Sequence, residues 1–279
     1  MNRIWYRQGI ALLDEIKNTV TNTDELAFWY LGQMGYVFKG AATIYMDVML
    51  NDHQQADGSS ARWYQPPFTP EQGRADYVIC THGHIDHLAE ETIKGIAQHD
   101  QHTRFIVPAG CCSVLKKMGL SDDRIIPVNA DETVEFPEFT LRTVATAHPE
   151  YAQDENGNDL SLAFYLEMNG VKILHPGDTY LTARLIDELS VLPSPNLFFP
   201  PINGQDFFRT ARNCIGNLNT AEAAQLSLIL KADLTVPSHF DMFIGNTADP
   251  LEFARYFMKI RPEAKWHIPA LGERFIYRK

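Results

Sequence analysis

Three histidines and one aspartate lie within six residues of the chain, in the segment His82-Gly83-His84-Ile85-Asp86-His87. Imidazole nitrogens and carboxylate oxygens are ligands for borderline divalent metal ions. In an extended loop, His82 and His84 point to one side, whereas Asp86 and His87, at the turn into a helix, point to an adjacent position. The spacing therefore predicts a site for two metal ions rather than one. The alternative interpretation is a solvated, histidine-rich loop ahead of a helix.

The other potential metal ligands lack this kind of spacing. No Cys-x-x-Cys pair is present, so we expect reduced, buried thiols, with cysteine ligation of a metal as the alternative, for Cys80, Cys111, Cys112 and Cys214. His175, which precedes Pro176, is interpreted as a structural or supporting residue. Surface or core roles are expected for His53, His99, His102 and His267.

Charge and composition limit the partners of the chain. Its 24 basic and 35 acidic residues give a net charge of −11, the wrong sign for a broad surface that binds nucleic acid. A 45% hydrophobic content over 279 residues excludes a disordered chain and allows a large core. With no linker in view, we expect a single domain over 1–279. No leader segment or stretch of eighteen apolar residues is seen, so we predict a cytoplasmic protein without a membrane partner.

The elements that must position the histidine motif are a buried strand over 75–80 and a helix over 88–98. An N-terminal helix over 4–17, with Ile4, Ile10, Leu13 and Ile16 on its apolar face, is expected to cover a sheet edge or a partner. Further helices are predicted over 112–118, 181–192, 219–231 and 249–261. Further strands are predicted over 26–31, 36–39, 43–50, 104–108, 160–167, 171–174, 196–200, 233–237 and 273–277, with three more between 124 and 147. Asn169-Gly170 predicts a tight hairpin. This order favours two packed sheets with helices on their outer faces.

The histidine motif after a buried strand resembles that of the metallo-β-lactamase-fold hydrolases. The resemblance implies an α/β fold, a four-layer α/β/β/α sandwich, and three later ligands at strand ends. Those places are filled by His148, Asp178 in Gly177-Asp178-Thr179, and His239. Carried over, one ion is held by His82, His84 and His148, the other by Asp86, His87 and His239. Asp178 bridges the two ions, and Asp86 and Asp178 are the catalytic carboxylates.

Longer stretches are similar to the L-ascorbate-6-phosphate lactonase branch of these hydrolases. They are the segments 28–32, 45–47, 175–180, 239–243 and 248–250. The branch implies Mn²⁺ slightly ahead of Zn²⁺, a lactone substrate and a homo-oligomer. The chain departs from the branch at two places. Thr179-Tyr180 stands where the lactonases have a second histidine close after the metal-binding aspartate, and Phe240 stands where they have one after the late metal-binding histidine.

Divalent ions lower the pKa of bound water towards neutrality and polarise a carbonyl, so hydroxide would attack the carbonyl carbon of the lactone. An anionic, phosphorylated substrate would find polar and cationic side chains at Asn203, Arg209 and Arg212. The alternative for the arginines is an ordinary solvated helix face. Asn217 and Asn219 are predicted to cap the following helix.

Other functions remain open at this point. Hydrolysis of phosphodiesters, including RNA processing, is the alternative enzyme activity, although the acidic charge argues against an RNA-binding surface. A di-iron oxygen-reducing protein or a metal-binding protein without catalysis is the third candidate. The di-iron relatives carry Glu where this chain has His84, which argues against redox chemistry.

Overall fold

The first of two mixed sheets combines strands from the two ends of the described chain. The computed structural model describes residues 4–279. The strands of this sheet are β1 (Glu25–Gly32), β2 (Gly35–Lys39), β3 (Thr43–Met46), β4 (Tyr77–Ile79), β5 (Arg104–Pro108), β6 (Ile125–Val128) and β14 (Arg274–Arg278). Their order is β14-β1-β2-β3-β4-β5-β6. The pairs from β3 to β6 are parallel and the others are antiparallel.

The second sheet contains the middle of the chain. Its strands are β7 (Thr133–Glu135), β8 (Thr140–Ala145), β9 (Leu162–Met168), β10 (Val171–His175), β11 (Leu197–Phe198), β12 (Leu234–Thr235) and β13 (Lys265–Trp266). The order is β13-β12-β11-β10-β9-β8-β7, parallel from β10 to β13. The β9–β10 hairpin turns at Asn169-Gly170, both with positive φ (51° and 67°), as a tight turn between antiparallel strands requires.

Helices cover the outer faces of both sheets. They are α1 (Gly9–Asn18), α2 (Glu90–His99), α3 (Cys112–Lys117), α4 (Ala183–Ser190), α5 (Phe207–Thr210), α6 (Thr220–Leu230) and α7 (Pro250–Ile260). Helices α1, α2 and α3 pack on the first sheet, while α4, α6 and α7 join the core of the second. The result is the four-layer α/β/β/α sandwich predicted from the sequence. No helix in residues 4–279 is long and apolar enough to cross a membrane.

Strand β1 illustrates why the core holds the two sheets together. All eight of its residues are buried, because side chains of alternate residues point to opposite faces of a strand. Phe28 and Tyr30 face the space between the sheets, where Phe28 stacks on Phe275 and meets Phe199 edge-on. Trp29 faces the helices of the first layer.

The predicted apolar face of the N-terminal helix was right for Leu13 and Ile16, which pack on the core, and wrong for Ile4 and Ile10. Ile4 and Ile10 are 84% and 71% exposed, while Leu12 and Ile16 are buried against the face of the first sheet rather than its edge. Residues ahead of the helix are held by other partners. Tyr6 N donates to Leu271 O (2.8 Å). The helix therefore begins only at Gly9, and Leu12 joins Leu13 and Ile16 on its buried face.

Other differences have local causes. The strand predicted over 43–50 ends at Met46 because Asp47 leaves the sheet with a φ of 47° and bonds to Thr81. Helix α5 and strand β13 were not predicted, since elements of four and two residues are too short to show a period. All four cysteines are free, and of these Cys80 and Cys111 are buried.

Candidate metal site

The histidine motif and the three later residues meet at one edge of the sandwich. The motif lies between β4 and α2, where Leu88 N donates to His84 O (2.7 Å) and closes the turn. His148 follows β8, Asp178 follows β10 and His239 follows β12. Because the sheets pack face to face, the loop from the first sheet faces the three strand ends of the second. Groups separated by up to 157 residues are thereby brought into one cluster.

Three imidazoles form the first group of this cluster. His84 Nδ1 lies 2.9 Å from His82 Nε2 and 3.2 Å from His148 Nε2. For metal–ligand distances near 2.1 Å, neighbouring ligand atoms lie about 3.0 Å apart in an octahedral site and about 3.4 Å apart in a tetrahedral one. The nitrogens thus have the separation of ligands around a shared cation.

The second group contains Asp86, His87 and His239, whose ligand atoms also lie within 4.8 Å of one another. Asp86 Oδ2 is 3.6 Å from both His87 Nε2 and His239 Nε2. Asp178 lies between the groups, with Oδ2 3.1 Å from His239 Nε2 and 3.6 Å from His148 Nε2. The groups are not cleanly separated, since His82, His87 and Asp178 form a third overlapping set.

Two buried atoms at the centre of the cluster lack a hydrogen-bond partner among the described residues. They are His87 Nε2 and Asp178 Oδ1, 3.4 Å apart. An unpaired buried polar group is costly, so native proteins pair such groups or use them as ligands. A divalent cation between these atoms would satisfy both. The donor set therefore fits a metal site, and the assignment of individual ligands stays a prediction.

The charges of the cluster also suit cations. Burial lowers the pKa of His148 to about 4, with a smaller opposing effect from Asp178. Such a histidine is neutral at pH 7, as a metal ligand must be. At His239, burial lowers the pKa, but the carboxylates of Asp178 and Asp86 together outweigh it and raise the pKa to about 9. Burial raises the pKa of Asp178, but the neighbouring His239 and His87 outweigh it and hold the pKa well below its usual range. The ionised carboxylate favours a positive charge beside it.

Behind the cluster, Asp47 supports the ligands. Its Oδ2 accepts hydrogen bonds from His87 Nδ1 and Thr81 Oγ1, both at 2.7 Å, and its Oδ1 accepts from Thr81 N at 2.8 Å. The bond to Nδ1 leaves Nε2 of His87 directed at the cluster. His175 is fully buried, with Nε2 2.9 Å from Met34 O, which agrees with the structural role expected for it.

A cavity of about 560 Å³ opens above the cluster. Its walls include His84, Asp86, His148, Asp178 and His239 together with Arg212, Asn246, His53, Ile85, Phe243 and Ile244. Of the three residues predicted to bind substrate, Arg212 alone lines it. Asn203 is buried behind the wall, and Arg209 Nε pairs with Asp206 Oδ2 (2.5 Å).

Several residues near the site were missed or misjudged from the sequence. His53, expected to have only a surface or core role, lines the cavity. Asn217 does not cap α6, because its Nδ2 donates to Asn203 Oδ1 (3.0 Å), whereas Asn219 is the N-cap as predicted. Asp47 and Gln33 were not considered as supporting residues. Both follow or join buried strands, and Asp47 also ends the segment 45–47 on which the resemblance to the lactonase branch was based.

Comparisons with known proteins agree with the fold. A family model described as a beta-lactamase superfamily domain matches residues 43–240. A UPF0173 metal-dependent hydrolase from Archaeoglobus fulgidus is 26% identical over 233 residues, which cover 81% of this chain and 88% of the relative. The structure of Igni18, a metallo hydrolase from Ignicoccus hospitalis, has a TM-score of 0.69 at 18% identity and covers 91% of this chain and 99% of that one. YhfI from Bacillus subtilis, a metallo-beta-lactamase fold protein, has a TM-score of 0.64 at 17% identity, with 91% and 100% covered.

The chain belongs to the beta-lactamase superfamily and has the metallo-β-lactamase fold. Fold, family and the histidine–aspartate cluster together define a metal-dependent hydrolase of that superfamily. The narrower resemblance to the lactonase branch stays a prediction.

Proposed function

We propose that the protein opens a small anionic lactone, of the phosphorylated sugar type, with two divalent ions held by the seven clustered residues. The observation that carries this proposal is the cavity, which has the His/Asp cluster at its floor and an arginine on its wall. Mn²⁺ and Zn²⁺ both suit nitrogen and carboxylate ligands, and occupancy would follow availability. A volume of about 560 Å³ suits a small molecule.

When bound, the ions would activate water and polarise the lactone carbonyl. The protein contributes the positions of the charged groups around the reacting atoms. Asp86 and Asp178 both line the cavity, so their carboxylates face the substrate as well as the ions. Burial raises the pKa of Asp86, but His87 and His239 outweigh this and lower it. Both carboxylates therefore stay ionised and hold positive charge at the floor of the cavity. No serine or cysteine nucleophile is needed.

The anionic end of the substrate is assigned to Arg212. Its Nε donates to Phe208 O (3.1 Å), and its two terminal nitrogens have no hydrogen bond to any residue in 4–279. A guanidinium presented in this way can take two phosphate oxygens at once.

Asn246 is the second polar group on this wall. Its Oδ1 accepts from Asn203 Nδ2 (2.9 Å) and Arg209 Nη1 (3.0 Å). The carbonyl end of the amide is thereby occupied, which leaves the amino group to donate to a substrate oxygen. Asn203 and Arg209 then act through Asn246 as positioning residues.

Incubation of the metal-loaded protein with a panel of lactones, a generic phosphodiester and RNA tests the proposal. Lactone opening that is faster for phosphorylated members, and lost after chelation or in Asp178→Ala, is the expected result. The Asp178→Ala protein should also hold less metal, because a residue between the two groups is gone. RNA or phosphodiester cleavage with inert lactones would replace the proposed activity with the phosphodiesterase alternative.

A further inference from the structure

We infer that Gln33 is an additional ligand of the second metal ion, through its side-chain amide oxygen. This inference rests on the proposed metal-dependent function. Gln33 lies at the tip of the β1–β2 hairpin, outside the histidine motif and outside the three later ligand positions. Hairpin tips are usually solvated, but this side chain is fully buried.

The amide of Gln33 contacts two members of the second group. Its Nε2 lies 3.0 Å from Asp86 Oδ2 and 3.0 Å from His239 Nε2. Those two atoms are 3.6 Å apart. The three atoms form a triangle with the edges expected of ligands around one cation at about 2.1 Å.

The amide oxygen of Gln33 is buried and has no hydrogen-bond partner among the described residues. The oxygen and nitrogen of an amide exchange places by a half-turn of the terminal group. When His239 Nε2 gives its lone pair to a cation, it can no longer accept a hydrogen bond from the Gln33 amino group. After the half-turn, Gln33 Nε2 takes the unpaired buried position that Oε1 had held. In exchange, Oε1 faces the second group, where it can coordinate the cation as a hard oxygen ligand.

The backbone of Gln33 is held in an uncommon conformation that aims the side chain at the cluster. Its φ is 59°, a left-handed value that is unfavourable for a residue other than glycine. Gln33 O accepts from His239 N (2.7 Å), and Gln33 N donates to Asp241 Oδ1 (3.0 Å). The turn is thus fixed directly to the loop that carries a predicted ligand. Strain of this kind persists where the surroundings over-determine it, commonly at functional sites.

Titration of the metal-free protein with Mn²⁺ tests the inference. Wild type should bind two equivalents. Gln33→Met keeps the length of the side chain but removes both amide atoms, so it should weaken one of the two equivalents at least tenfold and leave the other unchanged. His84→Ala should weaken the equivalent bound by the first group and His239→Ala the one bound by the second, so these two variants show which equivalent Gln33→Met affects. Gln33→Glu keeps an oxygen at the same place and adds a negative charge, so it should bind the second equivalent more tightly than wild type does.

A spectroscopic readout separates a ligand from a positioning residue. In the Co²⁺-loaded protein, loss of a ligand in Gln33→Met should change the position and intensity of the visible absorption bands, even at saturating metal. Asn217→Leu is the matched control, because it removes another buried amide with an unpaired oxygen that contacts none of the predicted ligands. It should leave both the Mn²⁺ affinities and the Co²⁺ spectrum unchanged.

Gln33→Met with wild-type affinities and spectrum would overturn the inference and leave the proposed function intact. An altered affinity with an unchanged Co²⁺ spectrum would also overturn it, since Gln33 would then only position Asp86. Wild-type protein that binds one equivalent would remove the second ion and this inference with it, and protein that binds none would remove the proposed function as well. Thermal unfolding shows whether Gln33→Met is folded. If it is not, the Gln33→Glu titration decides, and a wild-type affinity for the second equivalent in that variant would overturn the inference.

Discussion

Asp47 is buried behind the cluster and contacts His87 on the side away from the cavity. It accepts three hydrogen bonds from two residues, His87 and Thr81, and so joins the start of the motif to its last histidine. Residues that orient metal ligands in this way contribute to metal affinity although they do not touch the ion. For a residue such as His87, the hydrogen bond at Nδ1 determines that Nε2 is the atom left to bind a metal ion.

Asp47→Asn should lower the affinity of the protein for Mn²⁺ by about 10–100-fold. The amide loses the negative charge that faces the His87 ring and cannot offer acceptors at both ends. Competition with a chelator of known affinity measures the change. Asp57→Asn, the same substitution at an exposed turn where Asp57 accepts from Ser59, is the control and should bind Mn²⁺ as wild type does. Equal affinities in the two variants would contradict the role given to Asp47.

The two arginines near the cavity differ in what their guanidinium groups contact. Arg212→Lys should raise KM for a phosphorylated lactone by about tenfold, because an ammonium replaces a two-pronged contact with a single point charge. The value of kcat should change little if the phosphate is remote from the carbonyl. Steady-state kinetics on phosphorylated and unphosphorylated forms of one lactone measure both constants. An unchanged preference between the two forms would make Arg212 an ordinary surface charge.

At the scale of elements, the site depends on how the ends of strands from different sheets approach each other. After β10 the chain turns through Gly177, whose φ is 62°. A Cβ atom there would lie 2.7 Å from both Cβ and Oγ1 of Thr81, just after β4. Glycine therefore allows the loop that carries Asp178 to touch the loop that carries the histidine motif. The close approach of these two loops sets the spacing between the predicted ligands of the two sheets.

Gly177→Ala should destabilise the protein by about 1–3 kcal/mol more than Gly157→Ala and should weaken Mn²⁺ binding. Gly157 also has a positive φ, of 79°, but nothing lies within 4 Å of its added Cβ. Both variants incur the conformational cost of an alanine at positive φ, so the difference between them isolates the contact with Thr81. Urea unfolding gives the free energies, and a Mn²⁺ titration gives the affinities. Equal losses of stability would show that Thr81 moves aside without cost.

For the whole molecule, the cluster is a junction between the two sheets. Four of its residues belong to the motif after β4, and His148, Asp178 and His239 follow strands of the second sheet. Ions bound here would link the sheets at the cavity edge, in addition to the shared apolar core. Binding to the folded state alone stabilises it by mass action.

Chelation of the metal-loaded protein should therefore lower the free energy of unfolding by about 2.7 kcal/mol for each site held at a hundredfold excess over its Kd. Thermal unfolding with and without chelator should show a downward shift in Tm of several degrees. In Asp178→Ala the shift should be smaller, because less metal is bound at the start. A chelator that leaves the wild-type Tm unchanged would argue against metal ions that connect the sheets.

Local signals were sufficient for much of this structure. The hairpin at Asn169-Gly170, the cap at Asn219 and the strand ahead of the histidine motif depend on nearest neighbours and on side-chain alternation, which a sequence displays directly. The motif also contains several donors within six residues, so its metal chemistry could be predicted before any fold was known. The resemblance to a family supplied the candidates far along the chain.

Tertiary structure alone decided which distant groups meet. Gln33 contacts His239 across 206 positions because the β1–β2 turn is pinned to the loop after β12, and no local pattern encodes that contact. Our proposal of Arg212 rather than Arg209 for the substrate likewise rests on the acceptors around the two side chains. Asp206 and Asn246 engage Arg209, whereas the terminal nitrogens of Arg212 are left facing the cavity. The sequence displays the types of side chains and their spacing along the chain. Which of their atoms are free to bind a metal ion or a substrate depends on the neighbours that folding places around them.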